Sequence, residues 1–434
     1  MNASGKRNFL FLQGPQSPFL SYIADNLIAM GHKAYKINLC FGDKLFWKHP
    51  NAVSFRGRRE AWPAFIEKFL DEHRITDIMF LGDQRPYHQV AKAKARERGI
   101  RVIVTELGYL RPDWVTMELD GMSTYSRFPR DPAAIKDLAE KFPEPDFTTR
   151  YPSSFWQLAM WDLGYNLSNV FLWFLFPHYR WHAIYHPLTE YFGWVRRSFF
   201  RSYEDRKARH AIKALIRSEK TYYVLPLQLQ TDYQIRAHSP YPDMVTPARQ
   251  VIESFARYAP PDSRLVVKVH PMDSGMINWR NLVERTALGA GVPDRVIYID
   301  GGNLDILLRQ CRGVVTVNST VGTAALQHMK PLVVLGNAIF DIPGLAFQGH
   351  VNRFWTDSGP PDRELLTAFY RALAGTTQIK GGYYTEEGLR AAAEEAAKRL
   401  DGTLYELPEI PAAKFPQRSA PRPTVSRPTA SRSK

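Results

Sequence analysis

The chain has 434 residues and a formal net charge of +14, with 44% hydrophobic, 13% aromatic and 23% charged residues. This composition excludes a largely disordered protein and provides for two or three domains with sizeable cores. Two cysteines, Cys40 and Cys311, are too few for a disulfide framework or a cysteine-rich zinc site. Their apolar, strand-like contexts predict buried free thiols in a reducing compartment.

The N-terminal half alternates strands and helices. NFLFLQG is a short apolar run closed by Gly14-Pro15. Residues 18–30 carry Leu20, Ile23, Ala24, Leu27 and Ile28 at helical spacing, and Gly31 ends that helix at C′. AYKINLC is a strand, and WPAFIEKFLDEHR a helix with Pro63 in its first turn. DIMFLGD is a strand, residues 86–98 a helix and IRVIVTE a strand. The βαβα rhythm predicts a parallel sheet with helices on both faces and a ligand site at the C-terminal strand ends. Those ends carry Gly14, Asp83 and Glu106.

Residues 151–203 break the rhythm and hold five of the ten tryptophans. The stretch is helical in parts and aromatic nearly all round, with His and Arg interspersed. It reads either as a buried helical hairpin linking two domains or as a membrane-interface surface, where aromatic rings sit beside basic side chains. The apolar run Val170–Pro177 is too short to span a bilayer, and Phe9–Leu12 is too short for a leader. The expectation is a cytoplasmic protein with access to a membrane surface.

From Thr221 the α/β rhythm restarts. TYYVLPLQ, RLVVKVHP, RVIYID, GVVTVNST and PLVVLGN read as strands. Residues 244–258, DILLRQ, VGTAALQHM, 362–374 and 386–400 read as helices. The expected fold is α/β, with two Rossmann-like domains facing a cleft and an aromatic helical linker between them. The division is 1–150, 151–215 (linker), 216–380, 381–405 (closing helix) and 406–434. Residues 414–434 hold six Lys/Arg and no acid, among Pro and Ser, which predicts a disordered basic tail. Excess positive charge suits nucleic acid or an anionic surface, and no nucleic-acid-binding motif supports the former.

No G-x-G-x-x-G follows the first strand, and no P-loop, H-E-x-x-H, paired C-x-x-C, D-x-D or G-x-S-x-G is present. Neither a cofactor nor a metal site is therefore expected. Lys268, His270 and Pro271 end the strand VKVHP, where proline stops the strand and a strand-end imidazole beside a lysine can hold phosphate. Asn318, Ser319 and Thr320 open the helix VGTAALQHM, where they can cap it and leave N–H groups facing an anion. TELGYLRPDWVTMELDG, 105–121, reads as a folded loop carrying Glu106, Asp113, Glu118 and Asp120 around Arg111. Carboxylates there can serve as nucleophile or general base on a sugar, and the arginine can bind a carboxylate. Asp120 before Gly121 reads as a turn. Gln228, Gln230, Asp232, Gln234, His238 and Ser239 form a third polar cluster, either an entrance loop or a sugar or nucleotide contact.

ELGYLRPDWVTMELDG, LGDQRPYH, LPLQLQTDYQIRAHSPY, VKVHP, VNSTVGTAAL and LGNAIFDIPGLAFQG, in this order, resemble the bacterial capsule polysaccharide biosynthesis family of the KpsS/LipB type, over about residues 8–400. The resemblance implies a GT-B glycosyltransferase that moves β-Kdo from CMP-Kdo to a (lyso)phosphatidylglycerol acceptor with retention. It would work without a metal, peripherally on the inner face of the Gram-negative inner membrane, beside other capsule synthesis and export proteins. On the donor side it implies Lys268, His270, Pro271, Asn318, Ser319, Thr320, Gln228, Asp232 and Ser239. Towards the remaining substrate it implies Gly14, Pro15, Asp83, Tyr109, Arg111 and His238. Related elongating Kdo transferases carry an Asp after the glutamate of the acid block, and here that position is Leu107. The nucleophile is thus a choice among Glu106, Asp113 and Glu118. The competing expectations are a transferase of another CMP-sugar, a glycan-extending enzyme, and a non-catalytic scaffold of the capsule complex.

Overall fold

The computed structural model describes residues 5–181, 184–230, 232–402 and 407. The basic tail of residues 414–434 lies outside the described residues. The first sheet is built from β1 (Asn8–Phe11), β2 (Lys33–Asn38), β3 (Ala52–Ser54), β4 (Asp77–Leu81), β5 (Arg101–Leu107) and β6 (Trp114–Leu119). The second holds β7 (Tyr222–Pro226), β8 (Arg264–Lys268), β9 (Val296–Ile299), β10 (Gly313–Thr316) and β11 (Leu332–Val334). A last strand, β12 (Gln378–Lys380), returns to the first sheet, whose order is β12-β6-β5-β4-β1-β2-β3. The second sheet is β11-β10-β7-β8-β9 and wholly parallel. These are the two Rossmann-like domains expected from the alternating pattern, in a GT-B-like arrangement.

The first helix, Phe19–Ala29, ends as its sequence dictates. Gly31 adopts φ +93, its N–H reaches the Ile28 carbonyl at 2.9 Å, and the His32 N–H reaches Leu27 at 3.0 Å. This is a Schellman closure, which favours glycine because a Cβ is disfavoured at that φ. Both cysteines are buried and free.

Three expectations need correction. First, residues 105–121 are not a loop. β6 pairs antiparallel with β5, Glu106 facing Thr116 and Val104 facing Glu118, so the segment is a hairpin whose turn holds Gly108 and Pro112. The alternation of WVTMEL carries the strand signal, which the density of acids obscures. Second, the C-terminal domain ends before residue 380. Helix Arg363–Thr376 packs on helix Pro132–Ala139, and β12 pairs with β6. Helix Glu386–Asp401 then lays Leu389, Ala392, Ala393, Ala396, Ala397 and Leu400 against Phe19, Ile23 and Leu27 of the first domain. Three-residue β12 is too short to show a period, so its long-range partner is invisible in sequence.

The third correction concerns the linker, which is not a buried hairpin. It folds as helix Phe155–Phe171, a short turn at Trp173–Leu175, and one continuous helix Pro187–Arg217. Leu188, Phe192, Val195, Phe199 and Tyr203 recur at helical spacing, and all are exposed, Phe199 at 80%. Phe200 lies beside them at 61%, and Trp156 on the other helix is 76% exposed. An exposed apolar stripe of this length is unusual on a soluble surface. Other side chains of these helices are anchored. Gly42 N–H donates to Asn169 Oδ1 at 2.7 Å, and a Cβ at Gly42 would lie 2.4 Å from the Tyr165 ring. A Cβ at Gly193 would collide with the Ser274 carbonyl oxygen, and Arg197 pairs with Asp300. No helix among the described residues is long and apolar enough to cross a membrane.

Candidate active site

Between the domains lies a cleft of about 540 Å³, within the size range of small-molecule sites. Strand ends of the first domain line one side with Gly14, Pro15, Leu81, Arg85, Leu107 and Arg111. The second domain contributes Gln230, Asp232, His270 and the loop Met272–Ile277. The linker supplies the remaining wall, including Asp162, Tyr165, Tyr179, Trp181, Tyr191 and Trp194. The fold thus brings Gly14, Pro15, Arg111, Asp232 and His270 together from both halves of the chain.

Glu106 stands at the end of β5, half-buried, beside these lining groups. Burial raises its carboxyl above the ordinary value. The Leu107 N–H, 3.1 Å from Oε1, and the Arg85 and Arg111 guanidiniums pull it down, while the Asp232 carboxylate pushes it up. Desolvation favours the neutral acid, while the two arginines that face it favour the carboxylate.

His270 follows β8. Its Nδ1 accepts the Met272 N–H at 3.1 Å, so the neutral ring carries its proton on Nε2. Burial, with Lys268, Arg111 and Arg197 nearby, lowers its pKa to about 4. It is therefore a neutral hydrogen-bond donor at pH 7, not a cation.

The other two candidate acids do different work. Asp113 is buried, with Oδ1 2.9 Å from Lys380 Nζ and Oδ2 accepting the Arg150 and Tyr151 N–H groups at 2.7 and 3.1 Å. It fastens β12 and the segment before the linker to the hairpin. Asp113→Ala strands these donors and is expected to cost about 3 kcal/mol of stability in chemical denaturation. Glu118 is buried under the hairpin, accepting from Tyr109 Oη at 2.9 Å and from Ser126 Oγ. Burial pushes its pKa up to about 7. The folded state therefore holds this proton more tightly than the unfolded chain, where Glu titrates near 4.3. Stability falls as pH rises between those values, by about 4 kcal/mol in all. Thermal melts of the wild type are expected to drop across this window, and those of Glu118→Gln to lose the drop.

Several candidates are buried joints rather than cleft groups. Gln228 and Asn318 bond reciprocally, Nε2 to Oδ1 at 2.9 Å and backbone N–H to Oε1 at 3.1 Å. Ser239 Oγ caps its own helix through the Ile235 carbonyl at 2.5 Å. Lys268 Nζ donates to the Gly301 carbonyl at 2.7 Å. Tyr109 Oη is held by Glu118 and the Ser123 N–H. His238 crosses between domains, with Nδ1 3.0 Å from Thr124 Oγ1 and Nε2 3.8 Å from Asp83 Oδ1, while Asp83 also meets Lys92 at 3.3 Å. These contacts, with Thr323 Oγ1 donating to the Tyr109 carbonyl at 3.0 Å, lock the hairpin against the second domain. Ser319 and Thr320 lead into helix Val321–Gln327, where Ser319 Oγ accepts the Val321 N–H at 3.2 Å. Pro271 is exposed beside His270.

Sequence reasoning missed Arg85 and Tyr384 as site residues. Arg85 precedes the helix Pro86–Arg96 at the end of β4, so the strand-end rule that selected Asp83 could have found it. Tyr384 follows β12 and reaches the cleft only because the chain returns to the first sheet. Among the described residues no group of three His, Cys, Asp or Glu could hold a metal ion.

Two Rossmann-like domains with a cleft between them define a GT-B-like protein. The chain belongs to the capsule polysaccharide biosynthesis protein family, whose profile matches residues 76–384. It is 36% identical over 386 residues to the capsule polysaccharide export protein KpsS of Escherichia coli, covering 88% of this chain and 97% of that one. It is 32% identical to the capsule polysaccharide modification protein LipB of Neisseria meningitidis serogroup A, covering 87% and 92%. Among solved structures it is similar to the Thermosulfurimonas dismutans KpsC β Kdo 2,7 transferase, with 14% identity, a TM-score of 0.42 and coverage of 91% and 99%.

Proposed function

We propose that the protein is a retaining glycosyltransferase that moves β-Kdo from CMP-Kdo to a (lyso)phosphatidylglycerol acceptor and so begins the lipid anchor of a capsule. The observation that supports this reading is that Glu106, at the end of β5, stands next to cleft-lining Leu107 and interacts with cleft-lining Arg85 and Arg111, in a cleft whose third wall is the aromatic linker. In the first step a Glu106 carboxylate oxygen attacks the anomeric carbon, and the bond from that carbon to the CMP phosphate oxygen breaks. In the second, a glycerol hydroxyl oxygen attacks the same carbon from the opposite face, Glu106 departs, and the hydroxyl proton passes to a cleft carboxylate. Two inversions give retention. His270 Nε2–H and Arg111 hold the departing phosphate, and Arg85 faces the sugar carboxylate, where its planar fork suits two parallel hydrogen bonds. These side chains would neutralise the donor without a divalent metal. The exposed apolar stripe would rest on the inner leaflet, placing the cleft beside the lipid headgroups.

The test is a transfer assay with CMP-Kdo generated in situ and a fluorescent lysophosphatidylglycerol, read by mass spectrometry with and without EDTA. Gain of one Kdo, insensitive to EDTA, is expected. Transfer only to a glycan acceptor, or CMP binding with no product from either acceptor, would contradict the reading.

A further inference from the structure

A second cavity, of about 210 Å³, opens next to the cleft and is lined by Cys40, Phe41, Asn169, Leu172, Trp173, Phe176, Pro177, Tyr179 and Trp181. We infer that it receives one acyl chain of an anionic phospholipid whose headgroup reaches into the cleft, and this rests on the lipid-acceptor reading above.

Three observations select that occupant. The first is continuity, since Tyr179 and Trp181 line both cavities and a single molecule can occupy the two. The second is chemistry. The small cavity offers Phe41, Leu172, Trp173, Phe176 and Pro177 to a hydrocarbon, with no charged side chain among its described lining residues, whereas the cleft adds arginines, carboxylates and histidine to its apolar lining. The third is the surroundings. Phe171, Trp173 and Phe174 are all more than half exposed beside this cavity, continuing the apolar surface that would meet a bilayer.

Charge at the rim fits a phosphodiester. The Arg56 guanidinium sits 5.9 Å from the centre of the Phe176 ring and is exposed, and exposed Arg180 lies between the shared residues Tyr179 and Trp181. A chain lodged against Phe176 would bring its phosphate to these two cations while the terminal glycerol entered the cleft. Hydrogen bonds brace the cavity wall at Tyr179. Tyr179 Oη accepts from Gln13 Nε2 at 3.2 Å, and Gln13 also donates to Tyr165 Oη at 3.1 Å. The small volume suits one chain segment, so an acceptor with a single chain is favoured over one with two.

Two measurements test this. In the first, transfer is compared between phosphatidylglycerol-type acceptors with one long and one very short acyl chain, both presented below their aggregation limits. The wild type is expected to favour the long chain in kcat/KM by about tenfold or more, equivalent to about 1.4 kcal/mol. Leu172→Trp, which fills the cavity, is expected to bring that ratio close to one. A ratio near one in the wild type, or a ratio unaltered by Leu172→Trp, would overturn the inference and leave the transferase reading standing.

The second measurement needs no catalysis. A monoacyl phosphatidylglycerol brominated in mid-chain is expected to quench tryptophan fluorescence, and Trp173→Phe/Trp181→Phe is expected to lose most of that quenching. Quenching that persists in the double variant would place the chain elsewhere and overturn the inference. Quenching as expected, together with no transfer to any acceptor, would instead fail the transferase reading alone.

Discussion

Glu106→Gln is expected to lower Kdo transfer by about 10⁴-fold or more while leaving CMP binding and the melting temperature close to those of the wild type. The size of the effect follows from the role. A nucleophile that forms the first bond to the anomeric carbon has no substitute, and an amide of the same shape cannot accept the sugar. The expected tolerance of the fold follows from position. Glu106 accepts a local hydrogen bond from its neighbour's N–H, and Arg85, Arg111 and Asp232, its charged partners, line the cleft. The acid is raised by burial, so its loss of charge should appear as an acid limb in the pH profile of kcat/KM, above the ordinary glutamate value near 4.3. Activity is absent below that limb because the protonated acid is no nucleophile. Asp113→Asn and Glu118→Gln should retain transfer wherever they remain folded. Retention of full activity by Glu106→Gln, or its abolition by Glu118→Gln in a folded protein, would move the nucleophile.

The second large effect concerns the linker. Replacing Phe192, Phe199 and Phe200 together by Ser is expected to weaken binding to vesicles containing phosphatidylglycerol by about 10²-fold or more in co-sedimentation. Each ring is mostly exposed, so its removal sacrifices transfer of apolar area to the interface more than core packing. The melting temperature should therefore hold. Arg196 and Arg201 flank the stripe, and each basic side chain near an anionic surface contributes about 1 kcal/mol, so binding should also weaken with salt. Undiminished vesicle binding by the triple variant would remove the stripe from the account.

Much of this architecture could be read in the sequence. The two α/β halves, the Schellman end at Gly31, the buried cysteines and the strand-end positions of Glu106 and His270 all follow from local pattern. The hairpin at 105–121 was obscured because its acids look like loop residues, although Glu118 is buried and hydrogen-bonded. Local pattern also fails where partners are distant. Asp113 looks catalytic until Lys380, 267 residues on, is seen beside it. Gln228 and Asn318 look like ligand contacts until they are seen to satisfy each other. His238 looks like a substrate group until Thr124 and Asp83 are seen against it. The aromatic linker left two readings open, because periodicity identifies an apolar helix face but not what covers it.

The central claim is that Glu106 itself becomes bonded to the sugar. The most direct measurement is to incubate the protein with CMP-Kdo in the absence of acceptor, quench in acid, and map Kdo-modified peptides by mass spectrometry. A Kdo adduct is expected on the peptide bearing Glu106, chased away by lysophosphatidylglycerol and absent from Glu106→Gln. An adduct on another carboxylate, or one that persists in Glu106→Gln, would contradict it.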